Sequence, residues 1–321
     1  MSPVEERLRE LNESGALVLP PPAGGATVER LRALRRLAAM EDLSVARLAE
    51  AHTDAVAILA EAGRALPHPA DGSDLALAGV WASRFGGRDL RAGRTASGWH
   101  LAGRLAFCSG ATLLDLALVD AQLPDGQRQL FVVPLRDGGL AVESSRWHVT
   151  ALAATATASV SFDLEVPEEA AVGEPGFYLE RPGFWHGAIG VAACWAGGAQ
   201  AVHEATLRHA PTDRPHAAAN VGRTAGECWA MEAILDRAGA DIDAVPSAVD
   251  LAYALQVRQL VAAACDRVLS ASRRATGPGP YVFDDRHAQR IDDLALYIEQ
   301  QHHEADLAEV GDDALRRDRG P

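Results

Sequence analysis

The sequence predicts an α+β protein with an N-terminal helical segment, a central antiparallel β-barrel-like domain and a C-terminal four-helix bundle. Two observations support this order. Apolar residues recur at helical spacing in 1–72 and 176–321, whereas short β-branched and aromatic runs bounded by Gly, Pro and Asp fill 73–175. Loops rich in helix breakers separate the C-terminal helices, which is typical of an antiparallel bundle. These three ranges are the predicted domains.

Composition limits the functions that the chain can have. It has 321 residues, is 48% hydrophobic and carries a formal net charge of -14. An acidic chain binds nucleic acid poorly, because phosphate neutralisation needs clustered Lys and Arg. The first residues are charged and amphipathic, unlike a signal peptide, and no apolar run reaches the roughly 20 residues that cross a bilayer. We therefore expect a cytoplasmic protein without nucleic-acid or membrane partners.

The metal-ligand patterns in the sequence are weak. The sequence has four cysteines that are far apart and show no Cys-x-x-Cys spacing: Cys108, Cys194, Cys228 and Cys265. We interpret them as small buried apolar side chains in a reducing compartment. One Glu-x-x-His segment begins at Glu299, but a di-iron bundle needs such segments on two helices. We expect no metal.

The N-terminal part predicts three helices. The first covers 4–12, the second follows a cap at Thr27, and the third follows a cap at Ser44 and stops at Gly63. His52 lies in the third helix. We interpret it as a packed or half-exposed histidine, because a single histidine without a partner is not a catalytic site.

The central stretch is 99–111. It predicts a strand, a glycine turn at Gly103, a second strand, and a stop at the small residues 108–110. Further strands are expected in the apolar runs that begin at Leu113, Leu130 and Ser159, with a turn at 124–127.

These motifs resemble, in order and spacing, those of the acyl-CoA dehydrogenase superfamily, whose flavoproteins have a helix–β–helix plan. The family pattern W-x-(L/I)-x-G-x-K-x-(F/W)-x-(S/T) corresponds to Trp99, Leu101, Gly103, Arg104, Phe107 and Ser109. A Gly-Met…Thr…Ser landmark corresponds to Ala151, Leu152, Thr155 and Thr157. The resemblance implies the family's fold and FAD as the cofactor.

The resemblance also implies cofactor contacts. The implied cofactor-binding residues are Phe107, Cys108, Ser109, Gly110, Thr155 and Arg214. Ser109 stands where the family places a hydroxyl near flavin N5, and such a donor stabilises the reduced ring. Ser109 as a turn residue and Thr155 as a strand residue are the alternatives.

Two family contacts with FAD are altered. Ala82 and Ser83 replace the Thr and Glu of the family's T-E-P-x-x-G-S-D loop, which aligns with 82–89. Arg214 is the arginine near the place of an R-x-x-F-G segment that holds the FAD pyrophosphate, and no Phe-Gly follows it. FAD affinity and the family's usual dimer are both affected by this departure.

The family's catalytic Glu is not retained. Gln301 stands at its position and the alternative position falls near Ala188, so the sequence does not support classical α,β-dehydrogenation. Candidate catalytic residues are Glu299, Gln301, His302 and His303. On a helix, Glu299 would share a face with His302 and with His303. Related flavin monooxygenases of the dibenzothiophene type place a His on this helix, whereas the alternative is a solvated face with Glu–His pairing.

Three functions remain open from the sequence. The first is a flavin-dependent oxidoreductase that acts on an acyl thioester or related small substrate with a non-standard base. The second is a flavin-dependent monooxygenase. The third is a non-catalytic partner subunit that has lost FAD binding. We expect a homodimer or a hetero-oligomer with a related subunit.

Overall fold

The computed structural model describes residues 1–67, 75–83, 90–136, 138–143 and 147–319. The chain forms two compact units, each assembled from separate segments. The first unit contains Met1–Leu19, Leu48–Val149 and Ala153–Phe184, and the second contains Pro20–Arg47, Thr150–Leu152 and Trp185–Pro321. The three domains predicted in chain order stay a prediction.

Ten helices and eight strands lie within the described ranges. The helices are α1 (Pro3–Glu13), α2 (Thr27–Met40), α3 (Leu43–Glu61), α4 (Phe177–Glu180), α5 (Gly183–His209), α6 (Pro215–Ala244), α7 (Leu251–Thr276), α8 (Pro278–Phe283), α9 (Asp285–Ile298) and α10 (Glu304–Arg319). The strands are β1 (Ala78–Trp81), β2 (Leu90–Arg94), β3 (Gly98–Cys108), β4 (Leu116–Gln122), β5 (Arg128–Pro134), β6 (Leu140–Glu143), β7 (Ala158–Pro167) and β8 (Ala171–Val172). The predicted α+β class is confirmed.

The strands form one mixed sheet in the first unit. Its order is β6-β7-β3-β2-β4-β5-β8, with β1 also paired to β4. Most neighbours are antiparallel, but β1 and β2 both run parallel to β4. The sheet therefore departs from the purely antiparallel arrangement predicted, because the β2–β3 hairpin separates β1 from β4 along the chain and lets β1 pair in the same direction.

Strand β3 is continuous, so the turn predicted at Gly103 is wrong. Gly103 pairs with Leu90 on one side and with Phe162 on the other. Its φ of +135° is one that glycine adopts without a steric penalty, which lets the strand pass through this position. The predicted stop is correct, since β3 ends at Cys108.

Apolar side chains pack on both faces of this sheet: one cluster contains Trp99 and Phe131, and the other contains Leu118 and Val132 with residues of α3. Alternate residues of β3 are buried, and Trp99 packs edge-on against Phe131 of β5 with ring centroids 5.4 Å apart. A slip of one residue would expose this whole set, so burial fixes the register of β3. The register in turn fixes where the chain leaves the sheet.

The helix caps predicted at Thr27 and Ser44 are wrong. Thr27 is the first residue of α2, and its hydroxyl donates to Asp243 at 2.6 Å. Ser44 lies inside α3, and its N–H donates to the carboxylate of Asp42 at 2.8 Å. Aspartate satisfies the free amides of a first helical turn well. The predicted stop holds, because Gly63 follows α3 with a φ of +70°.

Long helices dominate the second unit. α6 packs against α7 and α2, and α7 also packs against α9 and α10. Trp195 of α5 meets Tyr297 of α9 edge-on at 6.2 Å, and the Arg258 guanidinium lies 4.6 Å from the Trp195 ring centre. Among the helices whose residues are described, none has the length and apolar character needed to cross a membrane.

A buried carboxylate ties α1 to the sheet of the first unit. Asp115 is 5% exposed and accepts the N–H of Leu77 at 2.9 Å. Both of its oxygens also accept hydrogen bonds from Arg9, and one accepts from Arg136. Both oxygens of this buried carboxylate therefore have charged or main-chain hydrogen-bond donors, as a buried polar group requires.

Asp115→Ala should lower the free energy of unfolding by about 1–3 kcal/mol, because the buried Leu77 N–H loses its acceptor and Arg9 keeps only its bonds to Glu5. Urea denaturation followed by circular dichroism measures this loss. Glu10→Ala is the control, since Glu10 pairs with Arg7 in an exposed i,i+3 bridge and should change stability by less than about 1 kcal/mol. Equal losses in the two variants would contradict this role for Asp115.

Candidate functional site

Three hydroxyl side chains meet where β3 ends and β7 begins. Thr157 Oγ1 donates to Ser109 Oγ at 3.0 Å, and Thr155 Oγ1 lies 2.7 Å from Thr157 Oγ1. Thr155 is 1% exposed, whereas Ser109 and Thr157 are partly exposed. We call Ser109, Thr155 and Thr157 the hydroxyl cluster. It leads from the interior of the first unit to its surface.

Main-chain contacts hold the hydroxyl cluster in place. The N–H of Gly110 donates to the carbonyl of Thr155 at 2.8 Å, and Trp81 Nε1 donates to the carbonyl of Ser109 at 2.9 Å. Gly110 has a φ of +74°, and a Cβ there would lie 2.6 Å from the Leu114 side chain. Glycine is therefore required on both conformational and steric grounds. These bonds fix the two segments without using the hydroxyls.

The backbone beside the hydroxyl cluster is strained. Phe107 lies in a β-bulge between β3 and β7 with a φ of +57°, and Ala156 has a φ of +47°. Such left-handed conformations each cost a residue with a side chain about 1–3 kcal/mol, and they persist at sites where the surroundings enforce them. Because two strained residues lie beside one polar cluster, we take the end of β3 and the start of β7 as the candidate site.

The thiol of Cys108 takes no part in this polar group. Its side chain is fully buried, and burial raises the pKa of the Cys108 thiol to about 12. Only its main chain is therefore available to a ligand at neutral pH. All four cysteines are buried free thiols. In the part of the chain that the structure describes, no three His, Cys, Asp or Glu side chains are arranged to hold a metal ion.

The remaining cofactor candidates lie elsewhere in the chain. Arg214 belongs to the second unit, where it is exposed and immediately precedes α6. The segment aligned with the T-E-P-x-x-G-S-D loop is described only at Ala82 and Ser83, since 84–89 lie outside the described residues. Phe107, Ser109, Gly110 and Thr155 are therefore the predicted residues that the first unit brings together.

The four catalytic candidates lie in a turn between α9 and α10, so the helix face predicted for them is wrong. His303 adopts a φ of +42°, which ends helical geometry. The turn still brings Glu299 Oε2 within 2.9 Å of His303 Nε2. The predicted Glu–His pairing is therefore present, although it forms across a turn instead of along a helix.

These four side chains differ in exposure and chemistry. The hydrogen bond that His303 donates to the Glu299 carboxylate raises the pKa of His303, and Gln301 Nε2 lies 3.3 Å from His303 Nδ1. Gln301 is buried, whereas the His302 side chain is 82% exposed and pairs with Asp306. His303 is thus the member best suited to hold a proton near neutral pH.

His52 is a packed histidine, as predicted. It is 4% exposed, and its Nδ1 accepts the N–H of Ala78 at 3.2 Å. Burial lowers the pKa of His52 to about 4. The ring is therefore neutral at physiological pH and serves the packing of α3 against β1.

Asp293 is a buried carboxylate in the second unit that the motifs did not indicate. Asp293 of α9 is 1% exposed, and its Oδ1 accepts the Leu152 N–H and the Gln289 amide, both at 2.6 Å. Gln289 also donates to the carbonyl of Thr150. Burial raises the pKa of Asp293 to about 6. Its place on the apolar stripe of α9, beside the buried Leu294, is the sequence signal that reveals it.

This chain matches known proteins by its fold. No protein-family model and no curated sequence matches it. Nitrososynthase from Micromonospora carbonacea var. africana superposes with a TM-score of 0.77 at 19% identity, over 96% of this chain and 88% of that one. KijD3, solved with FMN and dTDP-3-amino-2,3,6-trideoxy-4-keto-3-methyl-D-glucose, has a TM-score of 0.78 at 16% identity, over 97% and 86%. Dibenzothiophene monooxygenase TdsC from Paenibacillus sp. A11-2 superposes with a TM-score of 0.73 at 17% identity, over 96% of this chain and 94% of that one.

These neighbours share the acyl-CoA dehydrogenase-like fold, and one of them, KijD3, was solved with FMN. Their coverage of nearly the whole chain confirms the fold class predicted from the sequence. At identities below a quarter the likeness concerns the fold alone, so function has to be argued from the site.

The buried Asp293 predicts a pH dependence of stability. Its pKa is about 6 in the folded state and near 3.8 in the unfolded chain, so the folded state binds more protons between these values. The free energy of unfolding should therefore fall as pH rises from about 4 to about 6, by roughly 2 kcal/mol. Asp293→Asn keeps the Oδ1 acceptor and should flatten this slope in urea titrations at several pH values.

The control for that experiment is Asp285→Asn. Asp285 is exposed in the first turn of the same helix, so its removal should leave the slope in place. A slope that survives in Asp293→Asn would exclude Asp293 as its source.

Proposed function

We propose that the protein is a flavin-dependent oxidoreductase of the monooxygenase type and a divergent relative of the acyl-CoA dehydrogenase superfamily. The observation that carries this proposal is the hydroxyl cluster at the end of β3, in a fold shared with a protein solved with FMN and with a dibenzothiophene monooxygenase. A flavin bound there would supply two-electron redox chemistry.

The donor set of the first unit fits a flavin ring. Ser109 offers a partly exposed hydroxyl, while its carbonyl already accepts from Trp81 and its position is fixed. Phe107 is 49% exposed beside it and presents an aromatic surface. A hydroxyl donor stabilises negative charge on a reduced ring, and an aromatic neighbour orients a planar ligand. The chain would thus bind and orient the ring and stabilise its reduced form.

The flavin class is a separate step of the proposal. FAD is the expectation from sequence, and KijD3 was solved with FMN. Arg214 is exposed and lacks the Phe-Gly that follows its counterpart in the superfamily pattern. We therefore propose flavin as the ligand class and test the mononucleotide and the dinucleotide side by side.

A monooxygenase fits the chain better than an α,β-dehydrogenase. The superfamily's dehydrogenases abstract the α-proton with a Glu, and Gln301 and Ala188 at its two expected positions supply no carboxylate. His303 instead offers an imidazole whose pKa is raised by Glu299, so it can hold or release a proton near neutral pH. We propose His303 as the proton-handling residue and a small molecule, not specifically an acyl thioester, as the substrate.

A non-catalytic partner subunit is the second candidate function. Ala82 and Ser83 at the family's flavin loop and the altered Arg214 segment favour it, because the loop contact and the pyrophosphate contact with FAD would be weakened together. This candidate predicts a protein that binds neither flavin.

Flavin binding tests the proposal directly. We expect FMN or FAD to bind the purified protein with a shifted absorbance band and quenched flavin fluorescence. Ser109→Ala should weaken binding of the reduced flavin by about 10-fold and that of the oxidised flavin by less, since hydrogen bonds to charged groups are the stronger ones. Ser97→Ala, an exposed serine in the turn before β3, is the matched control. Failure of the wild-type protein to bind either flavin would favour the non-catalytic subunit.

The two histidines provide a test of catalysis. His303→Ala should reduce turnover of the flavin-loaded enzyme by about 10²-fold or more, whereas His302→Ala should leave it close to wild type because that side chain is 82% exposed. The pH profile of the wild type should show a group with a pKa above that of an ordinary histidine, and His303→Ala should lose it. Equal rates in all three proteins would remove His303 from the proposed mechanism.

A further inference from the structure

We infer that the hydroxyl cluster is a directional relay in which Thr155 donates to Thr157, Thr157 donates to Ser109, and the Ser109 hydrogen is the one presented to a ligand. Thr157 is then a positioning residue, which acts through Ser109. The direction of the relay follows from the protein alone. Its effect on a flavin rests on the proposed function.

The direction follows from counting hydrogens. Each hydroxyl carries one hydrogen and two acceptor lone pairs. Thr157 donates its hydrogen to Ser109 Oγ at 3.0 Å. The contact of 2.7 Å between Thr155 and Thr157 must then use the hydrogen of Thr155. The hydrogen of Ser109 is not needed inside the cluster and is left for an acceptor outside it.

Burial gives the relay an inner and an outer end. Thr155 is 1% exposed, and Ser109 is partly exposed at the end of β3. Aligned hydroxyls polarise one another, which strengthens each hydrogen bond by about 10–30%. Each donation therefore makes the next oxygen's hydrogen more acidic, and Ser109 becomes a stronger donor than an isolated serine. A strengthened donor favours an acceptor that carries negative charge.

The main chain lets this relay be tested without loss of the fold. Two hydrogen bonds hold the two segments independently of the hydroxyls. The Gly110 N–H donates to the Thr155 carbonyl, and Trp81 Nε1 donates to the Ser109 carbonyl. Thr157→Val removes the central hydroxyl and keeps the side-chain shape. Thr157→Ser keeps the hydroxyl and removes a methyl group. The pair separates the hydrogen bond from the packing.

Neutron diffraction from deuterated crystals of the whole protein tests the direction. The expected result places one deuterium on Thr157 Oγ1 pointing at Ser109 and one on Thr155 Oγ1 pointing at Thr157. A deuterium on Ser109 pointing at Thr157 would overturn the inference. This arm needs neither a variant nor a flavin.

Flavin titrations test the consequence. Thr157→Val should weaken binding of reduced flavin by about 3- to 10-fold more than binding of oxidised flavin, which lowers the midpoint potential of the bound flavin. Thr157→Ser should restore wild-type values. Thr155→Val should have a smaller effect, because Thr157 still donates to Ser109. Thr112→Val, at an exposed threonine of the following turn, is the control for a threonine-to-valine change.

The outcomes separate the two proposals. If the wild type binds flavin and Thr157→Val has an unchanged midpoint potential, or Thr155→Val has an equal effect, the relay is refuted and the proposed function stands. If the wild type binds neither FMN nor FAD, the proposed function fails, and the deuterium positions alone decide the direction. Circular dichroism of each variant checks that the fold is retained.

Discussion

The pairing of β3 on both of its edges is the constraint on which the first unit depends. β3 has eleven residues and hydrogen-bonds to β2 on one side and to β7 on the other. Its buried face carries Trp99 and the other alternate residues of the core, so a shift of register would expose all of them together. The bulge at Phe107 ends this regular pairing, and the chain leaves the sheet with Ser109 at the surface. The hydroxyl cluster is thus a consequence of where β3 stops.

Hydrophobic periodicity is enough to predict the order of the longer elements. Strands β3, β4, β5 and β7 and the long helices all fall in the runs that showed the matching period. Four short strands, β1, β2, β6 and β8, were not predicted, because two to five residues give too little periodicity. The turn predicted at Gly103 is wrong for a different reason. A glycine inside an apolar run usually marks a turn, and only the pairing partners on both sides show that the strand continues.

The break between α9 and α10 could not be predicted from local sequence. The segment contains neither Gly nor Pro, and its residues favour continuation of the helix. The structure instead ends α9 at Ile298, with the Arg258 guanidinium near the Gln300 carbonyl at 3.4 Å and His303 in the left-handed region. Contacts within the second unit thus override local propensity. For the site, the motif indicated Ser109 and Thr155, but the central position of Thr157 and the burial of Asp293 depend on residues far apart in sequence.

Phe107 illustrates a conflict between what folding favours and what the chain contains. Its ring is half exposed, and its backbone occupies a region that glycine would adopt at lower cost. In the site we propose, the half-exposed ring beside Ser109 is the flat apolar surface on which a flat ligand would stack.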